Sequence, residues 1–141
     1  MNATEKRHWL VRVLLFSIVY TVVGITFSAL ASFDTQIMWR WAAWSFSAVA
    51  YALHIWYEHF RESYSPRSTA LHTSSAAALG AFGLAVAANV HALRTDSGNQ
   101  VLLALALVLW PILTAVPAFL VALAVATVLV RMRPRIEPRS K

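Results

Sequence analysis

The chain contains no cysteine. Disulfides, thiolate metal sites and cysteine nucleophiles are thereby excluded. Charge is scarce too: 13% of the residues are Asp, Glu, Lys or Arg, against about 25% in ordinary soluble domains. Acidic residues number only six. The glycine-rich phosphate and dinucleotide fingerprints and the G-x-S-x-G nucleophile elbow are missing. No serine or threonine is paired with a base in a recognisable order, so the sequence offers little to a hydrolase or transferase reading, and an enzyme is not expected.

What is present is apolar. Of 141 residues, 59% are hydrophobic, six are tryptophan, and the mean hydropathy is +0.59. This profile fits an integral membrane protein with a single small domain. The net charge of +6 does not call for a nucleic-acid partner, because most basic residues lie at the chain ends and in one connection, where membrane topology accounts for them.

Four stretches approach the ~20 apolar residues of a spanning helix. They run over about 9–32, 38–60, 69–93 and 101–130, followed by a basic tail, 131–141. The connections ASFDTQ, RESYSPRS and RTDSGNQ are short and polar, and Ser65-Pro66 reads as a helix stop. Short connections make neighbouring helices antiparallel. The expected fold is therefore an all-α, up-and-down four-helix membrane bundle. No internal repeat stands out.

Orientation follows from Lys and Arg. With both termini and the Arg61–Arg67 connection in the cytoplasm, that side holds ten basic residues and the other only Arg40 and Arg94, a positive-inside bias. In a bacterial host this is the inner membrane. The tail RMRPRIEPRSK would lie on anionic headgroups. The first stretch has a competing reading as a signal peptide ending at Ala29-Leu30-Ala31. Its apolar run, 13–31, exceeds an ordinary signal core, and Ser17, Thr21, Gly24 and Ser28 recur at helical spacing, as in a helix packed on partners.

The second stretch poses the functional question, since it carries charge where charge is costly. Residues three or four apart share a helix face. Arg40, Trp44, Ser47, Tyr51, His54, Glu58 and Arg61 fall on one such stripe, roughly 31 Å long at the helical rise. It must face protein or water. His59 lies off the stripe and is expected at the surface. On the third stretch His72, Ala76, Gly80, Gly83, Ala87 and His91 form a small-residue groove with a histidine at each end, suited to close helix approach. Packing the second helix antiparallel on this groove predicts two clusters: His54, Glu58, His72, Tyr51 and Arg61 on the cytoplasmic side, and Arg40, Trp44 and His91 on the outer side.

The cytoplasmic cluster admits three chemistries. Histidine beside a carboxylate handles protons near neutrality. Two histidines and a carboxylate can ligate a metal, or His54 and His72 a haem. Arg61, His59 and nearby aromatic rings could recognise a headgroup or a quinone. In the fourth stretch Pro111 and Pro117 leave the carbonyls of Leu107 and Leu113 without their helical donors, with Thr114 and Trp110 as local substitutes; the prolines mark a kink or hinge.

The leading functional expectation is a small, oligomeric transport or channel-like protein with a proton-handling His/Glu cluster. The alternative is an accessory or anchoring subunit docked on a larger membrane complex through its small-residue face. A weaker alternative is a haem- or quinone-binding redox subunit.

Overall fold

The computed structural model describes residues 3–31, 34–61 and 65–132, and these form four helices with no strand among them. They are α1 (Ala3–Leu30), α2 (Gln36–Arg61), α3 (Pro66–Thr95) and α4 (Gln100–Met132). The tail from residue 133 onward lies outside the described residues.

Local chemistry sets the helix ends. Ser65 caps α3, its hydroxyl accepting from the Ser68 N–H at 3.3 Å, and Pro66 takes the first helical position. The Ser65-Pro66 pair is thus a start signal rather than the expected stop. Proline's missing N–H costs nothing in the first turn, where it has no acceptor anyway. α3 ends on Asp96 in the left-handed region, φ 48°, with the Ser97 N–H returning to the Ala92 carbonyl at 3.0 Å. Asn99 then caps α4, its Oδ1 accepting from the N–H groups of Val101 and Leu102 at 3.0 and 3.3 Å.

The contacts fix relative directions. α1 and α2 run antiparallel, since Arg12 meets Glu58, Phe16 meets His54 and Phe27 meets Trp39. α1 and α3 run parallel, with Trp9 beside His72 and Tyr20 at Gly80. α3 and α4 run antiparallel, with Ala70 packed with Ala122 and the Asn89 amide donating to the Leu103 carbonyl at 2.8 Å.

The small-residue groove of α3 receives α1, not α2. A Cβ on Gly80 would stand 2.7 Å from the Tyr20 Cβ, and one on Gly83 would stand 2.5 Å from the Thr21 hydroxyl oxygen. The Thr21 hydroxyl lies 2.9 Å from the Ser17 carbonyl and 3.2 Å from that of Gly80. The Ser17–Thr21–Gly24 stripe of α1 is therefore the partner of the groove. Periodicity shows which side a groove lies on but not which helix fills it, and two stripes of small residues approach more closely than α2's aromatic side chains allow.

Polarity is inverted relative to a water-soluble domain. Besides Ile55, the largest fully buried side chains are His54, His59, Glu58, Thr69 and Thr73. Leucine, valine, isoleucine, phenylalanine and tryptophan cover the outside of all four helices. Such a continuous apolar exterior suits lipid rather than water. By length and composition three helices can cross a membrane: Arg7–Leu30, Pro66–Thr95 and Gln100–Met132. α2 falls short of the expected set of four. Its tryptophans, serines, histidines and charges lower its hydropathy, while its two sides differ more than those of any other helix. α4 continues as one α-helix across Pro111 and Pro117. Thr114 donates to the Trp110 carbonyl at 2.8 Å, which is neither of the two carbonyls the prolines leave free.

Candidate functional site

Glu58 sits near the end of α2 and is 1% exposed. One turn earlier on the same side is His54, with Nε2 4.0 Å from Glu58 Oε1. α1 contributes Arg12, whose Nη1 lies 3.7 Å from the same oxygen. α3 contributes His72, whose Nδ1 lies 3.3 Å from Oε2. Three helices thus converge on one carboxylate. Burying an anion is costly unless it is paired, and here a guanidinium and two imidazoles surround it.

Aromatic rings hold the imidazoles. Phe16 stacks on His54, with centroids 3.6 Å apart and planes 9° from parallel. Trp9 lies over His72 at 5.4 Å. The Tyr20 hydroxyl stands 3.4 Å from His54 Nδ1. Which of the two donates depends on the His54 tautomer. Tyr51 sits on the next turn, its hydroxyl donating to the Ala118 carbonyl at 2.7 Å and lying 3.3 Å from Thr73 Oγ1. Chemically the arrangement can accept a proton on either histidine while the carboxylate compensates its charge.

His54, Glu58 and His72 come together, with Tyr51 beside them through Tyr20; their rings are 6.5 Å apart. The Arg61 side chain lies outside the described residues. His59, expected at the surface, is 1% exposed, with its ring edge-on to Phe60 at 5.1 Å. The outer group does not assemble as expected. Arg40 and Trp44 line one cavity of about 290 Å³ between α1 and α2, along with Gly24, Phe27 and Ser28. His91 is exposed on α3 and is not part of that lining. Trp44, expected to face inward, is 76% exposed. The polar stripe of α2 is therefore buried only in its last third, where α1 and α3 supply charge and hydrogen-bonding groups.

A second cavity of about 480 Å³ lies beyond Tyr20 and Tyr51 and shares Gly24, Ala43 and Trp44 with the first. The two adjoin along these residues, one bordered by Arg40 and the other by the two tyrosines, and Tyr20 touches His54.

Metal and haem fit poorly. Among the described residues no group of three His, Asp or Glu is placed to hold a metal ion. Both ring nitrogens of His54 face protein groups, Tyr20 and Glu58, and Phe16 covers one face of its ring.

Sequence reasoning missed Arg12, which it counted only as a topology marker. It also missed Trp9, Phe16 and Tyr20 as site residues. The signal was available: Trp9, Arg12, Phe16 and Tyr20 recur at steps of three, four and four, on one face of α1. No protein-family model, curated protein or solved structure matches the chain.

Proposed function

We propose that the chain is a small integral membrane protein of the transport or channel-like kind, handling protons through Glu58, His54 and His72. All four helices enter the bilayer, with both termini on the cytoplasmic side, which then carries ten of the twelve basic residues. The Glu58 cluster belongs to that side. α2 enters despite its lower hydropathy because its outer face is apolar, from Trp41 and Phe46 through Val49 and Leu53 to Trp56, while its ionisable groups near the far end turn inward. The basic tail rests on anionic headgroups.

The observation that carries the reading is the burial of Glu58 among Arg12, His54 and His72. A structural role alone would be served better by apolar packing, because buried ion pairs are weak sources of stability. Ionisable groups inside a membrane mark ion and proton paths by default, and two adjoining cavities lie between this group and Arg40, the nearer one bordered by Tyr20, which touches His54. In proteoliposomes under an imposed pH gradient, the protein should dissipate the gradient, and His54→Ala and Glu58→Gln should abolish that flux. Flux unchanged by both substitutions contradicts the proposal.

A further inference from the structure

The 480 Å³ cavity is not needed to explain the ion pairs, and its position suggests a ligand. α2 and α4 touch where Tyr51 reaches the Ala118 carbonyl and where Ile55 meets Ala122. Beyond that contact, toward the Arg40 end, they part. The opening has Trp44 and Ala48 of α2 on one side and Trp110, Pro117 and Val121 of α4 on the other. These rim residues are all exposed and apolar, so the window faces sideways, toward hydrocarbon once the helices are in a bilayer. The back wall is made by α1 and α3, with Gly24, Ala77, Gly80 and Ala81 among its lining.

Three features define what fits. No residue lining this cavity carries a formal charge, so an ionised headgroup would find no counter-charge and the occupant is neutral. Four aromatic side chains, Tyr20, Trp44, Tyr51 and Trp110, contribute to the walls, which favours a flat ring. Four hydroxyls line it, those of Tyr20, Ser47, Tyr51 and Thr114. The Tyr51 and Thr114 protons are engaged by the Ala118 and Trp110 carbonyls, whereas the Tyr20 hydroxyl, beside His54 Nδ1, keeps its proton for a ligand when the imidazole is the donor between them. The volume lies within the range of small-molecule sites.

We infer that this cavity is a binding site for a neutral, lipid-soluble ring bearing a hydrogen-bonding oxygen, of the quinone class, which enters between α2 and α4 and docks its oxygen on Tyr20. The tail of such a molecule leaves through the same window into the bilayer. Binding alone is proposed; it rests on the membrane placement proposed above and not on the proton reading.

The test uses the full chain in lipid nanodiscs, with no pH gradient, and follows tryptophan fluorescence as decylubiquinone is added. Trp44 and Trp110 border the site, so quenching should contain a saturable component above the linear part caused by partition into lipid. Ala48→Phe, which narrows the window at an exposed position, should remove that component. Tyr20→Phe should weaken it about tenfold, the effect of about 1.4 kcal/mol. Decanol, which offers the chain without the ring, should not compete. Circular dichroism and elution volume establish that each variant is folded. A purely linear response, or a saturable one that survives Ala48→Phe with both variants folded, overturns the site. Equal competition by decanol overturns the ring class and makes the cavity an acyl-chain groove. Loss of proton flux in a variant that still binds the quinone bears on the proposed function and leaves this inference standing.

Discussion

The two ends of α2 are made of similar residues and meet different fates. Toward Gln36 the helix carries Arg40 and Trp44, both exposed, beside an open cavity. Toward Arg61 it carries His54, Glu58 and His59, all buried. The sequence stripe runs unbroken through both ends, so amphipathicity does not separate them. The neighbours do: at the Glu58 end α1 brings Arg12, Phe16 and Tyr20 and α3 brings His72. At the Arg40 end α1 offers Gly24, Phe27 and Ser28, with no carboxylate among the described residues of that lining. A polar side chain is drawn inside a bundle where partners wait for it, and stays at the rim where they do not.

That contrast can be broken from either end. Glu58→Ala should have the largest effect, because it removes the buried carboxylate that Arg12, His54 and His72 share. A loss on the order of 3 kcal/mol is expected, read as a lowered thermal midpoint in detergent. Gly80→Leu comes next. Its side chain must displace Tyr20, whose Cβ already stands 2.7 Å from a Cβ at that position; overpacking of this kind costs about 1–3 kcal/mol, and cross-linking between α1 and α3 should weaken with it. Tyr51→Phe removes the donor to the Ala118 carbonyl and should cost about 0.6–1.7 kcal/mol, the range for hydrogen bonds between membrane helices. Arg40→Ala should change stability by less than about 0.5 kcal/mol, as an exposed substitution does. An Arg40→Ala loss equal to that of Glu58→Ala would erase the difference between the two ends.

Much of this was legible in the sequence, and the gaps have physical causes. Hydropathy located the helices, because a run of apolar residues bounded by polar connections admits little else. Helical spacing placed His54, Glu58 and Tyr51 on one side of α2. It also selected the small residues Gly80 and Gly83, but a periodicity is a property of one helix and does not name its neighbour, and so α1's claim on the groove was missed. Arg12 was obscured by its position near the chain start, where a basic residue has a sufficient explanation in topology. His59 shows the converse error: being off the polar stripe did not make it exposed, because α2 buries a wider arc near its end than the stripe alone defines. Ser65-Pro66 was misread because the same dipeptide can end one helix or begin the next, and only the capping hydrogen bond distinguishes them.

The central claim is that α2 lies in the bilayer with its tyrosine and histidine side turned from lipid. The absence of native cysteine makes single-cysteine spin labelling clean. Labels at Val49 and Leu53, on the exposed side, should collide freely with oxygen and rarely with a water-soluble nickel chelate. A label at His54, fully buried on the other side, should collide with oxygen much less often. Equal oxygen access on both sides, or nickel access at Leu53, would contradict the account.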